Sequence, residues 1–198
     1  MRKLPVAVLL AVCAAPAAAF EKGDWLISAG ITNVDPKSDN HPVVNVDAGA
    51  ALSLTATYFY TDSWAIDILA AIPFNHEVFL NDGGARVGET DQLPPTVSLQ
   101  YHFQNWDRFK PYVGLGVNYT TFFSEETQGP LEGVDLSLDD SWGLAAQVGF
   151  DYAINERWFA KADVRWMDIG SEASLDGASI GDVEIDPLVY GFSIGYRF

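Results

Sequence analysis

The sequence predicts an all-β protein, an eight-stranded antiparallel transmembrane β-barrel with four long outer loops and three short periplasmic turns. Three observations favour this fold. Segments of about ten residues alternate apolar residues with small or polar ones, which is the period of a strand that faces lipid on one side only. Turn-forming residues separate these segments, and long and short connections between them strictly alternate. After residue 19 the chain has no run of eighteen apolar residues, the length that a membrane-spanning helix requires.

The first 19 residues have the composition of a secretory signal peptide. Two basic residues precede a short apolar run, and small residues follow it up to Ala19, where we expect cleavage. The predicted domains are therefore a signal peptide at residues 1–19 and a barrel domain at residues 20–198. Cys13 is the only cysteine, so the cleaved chain would contain no disulfides. Because the signal has two basic residues and no acidic ones, its removal changes the formal charge from −16 to −18. So acidic a chain is not expected to bind nucleic acid.

Eight segments have the strand pattern, and in each of them one set of alternate positions carries no charge, although 19% of the chain is charged. The opposite set is small or polar, as at Ser53, Thr55 and Thr57 in the second segment. The uncharged set has aromatic residues at the strand ends, which is typical of the interface belts of membrane barrels. We therefore expect this set to face lipid rather than the core of a soluble sandwich. The predicted strands are residues 24–32, 51–60, 64–74, 96–103, 111–123, 141–153, 157–167 and 187–198.

Each predicted strand has residues of the apolar set near both of its ends. In chain order, the first four strands have Trp25 and Ile31, Leu52 and Tyr60, Trp64 and Phe74, and Val97 and Phe103. The last four strands have Val113 and Phe123, Trp142 and Tyr152, Trp158 and Trp166, and Leu188 and Phe198.

The connections give the predicted orientation and location. The short ones are residues 61–63, 104–110 and 154–156, and the long ones are residues 33–49, 75–95, 124–140 and 168–186. Short periplasmic turns and long outer loops are typical of bacterial outer-membrane barrels. We therefore expect the protein in the outer membrane of a Gram-negative bacterium, with both termini in the periplasm.

Six short segments carry specific motifs, and the likeness that they indicate covers nearly the whole chain after residue 19. They are residues 70–76 (AAIPFNH), 93–96 (LPPT), 111–120 (PYVGLGVNYT), 140–144 (DSWGL), 166–169 (WMDI) and 195–198 (GYRF). This combination resembles the OmpW/AlkL family of outer-membrane proteins. The final residue, Phe198, resembles the assembly signal that the barrel-assembly machinery reads.

The resemblance implies an eight-stranded barrel with a narrow lumen that lets small, often hydrophobic compounds cross the outer membrane. It implies that substrate leaves sideways into the bilayer. The partners that follow are small hydrophobic solutes, outer-membrane lipid and lipopolysaccharide, the barrel-assembly machinery, and bacteriocins at the outer loops. Some members of the family are also taken as routes for small amino acids.

Three prolines lie in the outer part of one predicted strand pair. Pro73 falls late in the third strand, and Pro94 and Pro95 precede the fourth. Proline has no backbone N–H for the ladder of a sheet, so the pairing there should be weak. Either the prolines only terminate two strands, or they leave a lateral window between the third and fourth strands.

Charged residues of the inward set lie in the predicted lumen. They are Asp67, Asp151 and Asp163, with Lys161, Arg165 and Arg197. The interior of an eight-stranded barrel is only just wide enough for its own side chains, and buried charges need partners. We therefore expect the three acids and three bases mostly to pair, either as a structural plug or as the gate of a narrow polar path.

Apolar residues of the inward set predict a different constriction. Leu69, Phe59, Phe159 and Met167 face the predicted lumen, with Phe122 near its outer end. Together they would form a hydrophobic constriction. Arg165 stands where relatives in the family that the chain resembles often have an aromatic residue, which argues against a continuous apolar passage.

No catalytic site, metal site or cofactor is expected. His41, His76 and His102 lack metal-ligand spacing, and Ser98 lies about 13 Å along one strand from His102, too far for proton transfer. We therefore predict that the protein is not an enzyme. The third and fourth long loops are acidic, and we expect them to be solvated, with divalent cations that bridge to lipopolysaccharide as the alternative. Their acids are Glu125, Glu126, Glu132, Asp135, Asp139, Asp140, Asp168, Glu172, Asp176, Asp182, Glu184 and Asp186.

The predicted function is passive diffusion of small hydrophobic or amphipathic molecules across the outer membrane. The alternative is a plugged, non-transporting surface barrel that binds ligands or stabilises the envelope. A narrow path for small amino acids or cations is a further alternative.

Overall fold

A computed structural model describes residues 19–37, 44–80, 84–129 and 132–198. The predicted signal peptide, except Ala19, lies outside these residues, and so does His41. Among the described residues, no helix has the length and apolar character needed to cross a membrane. They form the strands β1 (Trp25–Asp35), β2 (Val44–Val46), β3 (Gly49–Phe59), β4 (Trp64–Ala71), β5 (Phe74–Leu80), β6 (Arg86–Leu93), β7 (Thr96–His102), β8 (Phe109–Thr127), β9 (Leu136–Leu138), β10 (Ser141–Ala153), β11 (Trp158–Met167), β12 (Gly170–Leu175), β13 (Ala178–Glu184) and β14 (Leu188–Arg197).

Eight of these strands close into an antiparallel barrel. Their order around the barrel is β1, β3, β4, β7, β8, β10, β11 and β14, and β14 pairs again with β1. The register of the closing pair places Ala29 opposite Ile194. The predicted eight-stranded antiparallel barrel is therefore confirmed. Because the ring is closed, each of the eight strands pairs with a neighbour on both sides, as a sheet surrounded by lipid requires.

The outward set of side chains forms an exposed apolar surface. Leu115 is 71% exposed and Trp142 is 74% exposed, which in a membrane protein means contact with lipid. Aromatic pairs line the end where the short turns lie, with ring centroids 4.8 Å apart for Trp25 and Tyr58. The predicted alternation therefore gives the correct facing along the barrel strands, with one exception in the third predicted strand.

That exception is Phe74. The third strand was predicted to continue to Phe74, but β4 ends at Ala71 and a bend at Ile72 and Pro73 follows. Phe74 then begins β5 with its side chain buried, only 1% exposed, whereas the pattern predicted that it faces outward. The bend displaces the alternation because Pro73 cannot donate a ladder hydrogen bond.

The pattern predicts that the four long connections are loops, and this prediction is wrong. They contain β2, β5, β6, β9, β12 and β13, which we call the outer extension, and β8 continues beyond the barrel to Thr127. Strands β6, β5 and β2 continue the barrel sheet outward from β8, and β9, β12 and β13 form a separate three-stranded sheet. Apolar residues of these segments are buried, among them Val87, Val183 and Ile185. Their burial stabilises the extension as ordered structure.

Candidate functional site

Inward side chains divide the barrel interior into layers, and two strands give the order of these layers. From the periplasmic end, β4 presents Ala65, Asp67 and Leu69 inward, and β11 presents Phe159, Lys161, Arg165 and Met167. A lower apolar cluster is therefore followed by a polar layer and then by an upper apolar layer. The outer extension lies beyond the upper layer.

The lower apolar cluster closes the periplasmic end of the barrel. Its members are Phe20, Leu26, Phe59, Ala65 and Phe159. The rings of Phe20 and Phe59 lie 5.0 Å apart, so the first residues before β1 fold into the mouth of the barrel. Arg197 lies at this rim, where its guanidinium contacts Asp24 at 2.8 Å and lies 5.9 Å from the centre of the Phe20 ring.

The polar layer is a network of buried ion pairs centred on Asp67. Arg165 contacts Asp67 at 3.2 Å and Asp163 at 2.6 Å, and the Lys161 Nζ lies 3.5 Å from Asp67. The hydroxyl of Thr57 donates to Asp67 at 2.6 Å. Asp67, Lys161 and Arg165 are all at most 2% exposed. These contacts fill the lumen with charges that stabilise one another only while they remain paired.

Four of the six charged residues that were predicted in the lumen pair with one another, namely Asp67, Asp163, Lys161 and Arg165, and the other two do not join this network. Arg197 pairs with Asp24 at the rim and not with an acid of the lumen. The carboxylate of Asp151 lies 3.6 Å from Nδ1 of His102, and among the described residues it has no ion pair with a lysine or arginine and no hydrogen-bond partner. Arg197 does not reach the acids of the lumen because of its position along the barrel axis. It lies one residue from the end of the chain, at the level of the lower cluster.

Two inward residues that the sequence analysis did not identify as site residues complete the polar layer. Tyr112 stacks on His102 with ring centroids 4.8 Å apart, and the Lys161 Nζ lies 5.0 Å from the centre of the Tyr112 ring. The side-chain oxygen of Gln100 lies 2.8 Å from Nε2 of His102. Their inward parity was the available signal, but parity alone does not indicate which residues meet across the lumen.

The four apolar lumen candidates do not lie together. Leu69 and Met167 belong to the upper apolar layer, whereas Phe59 and Phe159 belong to the lower cluster. Phe159 and Met167 are eight residues apart on one strand, or about 26 Å. The expected single hydrophobic constriction is therefore wrong, because the polar layer separates the two pairs.

An apolar cavity lies in the outer extension, above the upper apolar layer. Its volume is about 350 Å³, within the range of small-molecule sites. None of its lining residues is charged, and the polar ones are His76, Thr90 and Gln92. The cavity could not be predicted from the sequence pattern, which indicates loops for the segments that line it. The apolar lining comes from Val46, Val78, Leu80, Val87, Gly88, Phe122, Leu136, Leu138, Ala173, Leu175, Ile180, Val183 and Ile185.

The three prolines lie at an interruption of the sheet next to this cavity. The pairing of β4 with β7 ends at Leu69 and Thr96, and pairing resumes between β5 and β6 at Phe74 and Gln92. Residues 70–73 on one side and residues 93–95 on the other have no ladder partner across this interval. We call this interval the proline gap.

On each side of the proline gap, backbone groups form hydrogen bonds with the neighbouring strand on the side away from the gap. The N–H of Ile72 donates to the carbonyl of Leu52 on β3, at 3.0 Å. On the other side, the carbonyl of Pro95 accepts from the N–H of Tyr119 on β8, at 3.1 Å. Pro73 is exposed, Pro95 is half-buried and Pro94 is buried. The backbone of the gap therefore has hydrogen bonds, but none of those described crosses between the two sides.

The acidic outer loops are held in part by ion pairs. Lys37 binds Glu184 and also Asp186, the latter at 3.0 Å, and Arg86 binds Glu77 at 3.0 Å and also Glu89. Within the described part of the chain, no group of three or more histidine, cysteine, aspartate or glutamate side chains has the arrangement of a metal site. Divalent-cation binding by the loops stays a hypothesis.

A closed eight-stranded barrel with an apolar outer surface, a charged interior and long outer strands defines a small outer-membrane barrel of a Gram-negative bacterium. The chain belongs to the OmpW family, whose family model matches residues 21–198. The resemblance of the six motif segments is therefore confirmed.

Outer membrane protein W of Vibrio cholerae is 41% identical over 98% of this chain and 97% of its own length. The crystal structure of OprG from Pseudomonas aeruginosa superposes with a TM-score of 0.81 at 37% identity, over 91% of this chain and 98% of OprG. A more distant relative, the dibenzothiophene metabolism operon protein PahQ of Pseudomonas aeruginosa, is 28% identical over 94% of each chain.

Proposed function

We propose that this barrel allows passive diffusion of small hydrophobic or amphipathic molecules across the outer membrane. Solute enters the apolar cavity of the outer extension and leaves sideways through the proline gap into the bilayer. One observation carries the proposal: Gln92, which lines the uncharged cavity, borders the unpaired interval of the barrel wall, while the lumen below is filled with ion pairs. The name of PahQ, which places that relative in an operon for an aromatic sulfur compound, supports a hydrophobic solute.

The cavity suits an apolar solute because of its lining. Its walls bury aliphatic side chains from both sheets of the outer extension. Transfer of apolar surface from water to such a wall is favourable by about 25 cal/mol per Å². Membrane lipid offers the same gain on the far side of the wall, so a solute can pass down its concentration gradient without other input.

The sideways exit follows from a comparison of two costs. A straight path would have to separate Arg165 from Asp67 and Asp163, and an unpaired buried charge costs about 3–5 kcal/mol. The proline gap has no strand-to-strand ladder to break, and a single hydrogen bond would cost about 1 kcal/mol. Exit between β4 and the segment before β7 is therefore the easier route for a molecule without charge.

The proposal is tested by closing the proline gap with a reversible disulfide. Ala70→Cys with Pro95→Cys places a cysteine pair at the next register positions after Leu69 and Thr96. Ile68→Cys with Val97→Cys is the matched control, because this pair already lies within the ladder. Uptake of a hydrophobic solute is measured in proteoliposomes that contain the cleaved chain, which has no other cysteine.

We expect oxidation to reduce uptake only in the variant at the gap, and reduction to restore it. Equal uptake before and after oxidation at the gap would exclude the lateral exit. The buried ion pairs of the lumen favour a second candidate, a plugged surface barrel that transports nothing. In that case neither variant, nor the unmodified protein, would raise uptake above that of empty liposomes.

A further inference from the structure

Two polar side chains face the apolar cavity from neighbouring strands. His76 lies on β5 and Gln92 on β6, and each is 1% exposed. The register pairs His76 with Thr90 and Phe74 with Gln92, so the two side chains are diagonal neighbours on one face of the hairpin. Both line the cavity. They provide hydrogen-bonding groups in a wall that is otherwise apolar except for Thr90.

His76 carries a hydrogen-bond acceptor in the wall of the cavity. Its Nδ1 lies 2.7 Å from the backbone carbonyl of Asp47, and a carbonyl only accepts, so Nδ1 carries the hydrogen and donates it. Burial lowers the pKa of His76, against the opposing effect of the Asp47 and Asp91 carboxylates. The neutral ring therefore has a lone pair on Nε2, and this buried atom has no hydrogen-bond partner among the described residues.

Gln92 carries a hydrogen-bond donor in the same wall. Its side-chain Nε2 is buried and likewise has no partner within the described part of the chain. A buried polar atom without a partner costs free energy, so the pair favours a ligand that satisfies both atoms. One acceptor beside one donor is the complement of a hydroxyl group, which donates one hydrogen and accepts another.

Other head groups match this pair less well. A carboxylate accepts hydrogen bonds but cannot donate to Nε2 of His76, and an ammonium group donates but cannot accept from Gln92. A carboxylate also meets unfavourable charge, because the hairpin that carries His76 and Gln92 contains Glu77, Glu89 and Asp91 against a single base, Arg86. An alkane leaves both atoms unpaired.

We propose that the cavity is a binding site for an alcohol, a neutral molecule with an apolar body and one hydroxyl group. The hydroxyl donates to Nε2 of His76 and accepts from Nε2 of Gln92, while the apolar body fills the space between the two sheets of the outer extension. This inference rests on the proposed function, in which the same cavity admits solute, and it specifies the class of solute that the cavity prefers.

The test compares three probes of equal chain length, namely 1-decanol, decane and decanoate. The cleaved full chain is placed in lipid nanodiscs with its histidines labelled with ¹⁵N, and each probe is titrated while the ring nitrogen resonances are followed. His76→Phe identifies the resonance of His76 by its loss and retains a ring beside Phe74, which lies 6.4 Å from the histidine ring. Gln92→Leu removes the side-chain amide, and with it the donor, at similar size. Asn75→Ala is the matched control, because Asn75 lies on β5 but is exposed on its other face.

We expect decanol to shift the Nε2 resonance of His76 and decane to leave that resonance near its free position. Gln92→Leu should weaken decanol binding about tenfold, the size expected for one hydrogen bond to a buried group, and should leave decane binding unchanged. Asn75→Ala should change neither. For each probe we compare the apparent dissociation constant of the variant with that of the unmodified protein. Partition of the probe into lipid affects both constants equally and cancels in their ratio.

Three results would overturn the inference. If the Gln92→Leu variant binds decanol and decane in the same ratio as the unmodified protein, the hydroxyl is not recognised, and a general hydrophobic site remains. If decanoate binds as tightly as decanol, the head group is not selected. If no probe perturbs resonances of the outer extension, the cavity does not admit solute, and the proposed function fails together with the inference.

Discussion

Arg165 on β11 contacts Asp67 on β4 across the full width of the lumen, with 3.2 Å between its terminal nitrogen and the carboxylate. The two strands are four positions apart in a ring of eight, so they stand on opposite walls. A side chain that joins opposite walls leaves no room for an open pore. This contact is the reason that we propose a route through the barrel wall rather than through its centre.

Replacing Arg165 should destabilise the barrel through the acids that it leaves unpaired. Arg165→Met keeps the volume but removes the partner of Asp67 and Asp163, and we expect the free energy of unfolding to fall by about 3–5 kcal/mol. Unfolding in urea, followed by the heat-dependent shift in electrophoretic mobility, measures this change. Adding Asp163→Asn should recover part of the loss, because Asp163 has no other ion-pair partner among the described residues whereas Asp67 keeps Lys161. A single variant as stable as the unmodified protein would contradict the assignment of these pairs as a plug.

Restoring backbone donors at the proline gap should stiffen the wall and slow uptake. In the triple variant Pro73→Val, Pro94→Thr and Pro95→Val, each new ladder hydrogen bond adds about 1 kcal/mol of stability. We expect uptake of hydrophobic solutes into proteoliposomes to fall while the protein becomes harder to unfold. Higher stability with undiminished uptake would mean that the prolines are strand terminators only.

Phe198 should matter for assembly far more than for the folded barrel. Its N–H donates to the carbonyl of Trp25 at 2.9 Å, and its side chain is 71% exposed, so few packing contacts depend on it. Deleting Phe198 should reduce the amount of heat-modifiable protein in the outer membrane, measured by fractionation. Trp106→Ala, which changes an exposed aromatic residue in a periplasmic turn, is the control and should assemble normally. Normal assembly after the deletion would refute the assembly role.

The neutral state of His76 predicts a pH dependence of the outer extension. Burial lowers the pKa of His76 in the folded state. The folded protein therefore binds fewer protons than the unfolded chain, in which histidine has a pKa of about 6.5. Stability should therefore be full above about pH 6.5 and should decrease as the pH falls below it. Thermal unfolding at pH 7.5 and pH 5 measures the difference, which His76→Gln should reduce. Decanol binding should weaken over the same range, because a protonated ring has no acceptor at Nε2.

The sequence by itself determined the barrel and its orientation in the membrane. Strict alternation shows which side chains face lipid, and the alternation of long and short connections shows which end faces outward. In a closed barrel with lipid outside, the facing of each residue follows from its parity alone. Leu115 and Trp142 are exposed and Asp67 is buried for this reason.

Only the tertiary structure decided which inward residues meet and where the apolar space lies. Parity placed Phe59, Met167 and Arg197 in the lumen, but the axial level of each residue assigned them to the lower cluster, the upper layer and the periplasmic rim. The bend at Pro73 turned Phe74 inward, and distant segments folded together to form the cavity of His76 and Gln92. Alternation is a local property of the chain, whereas contacts across a barrel depend on register and on the packing of segments far apart in sequence.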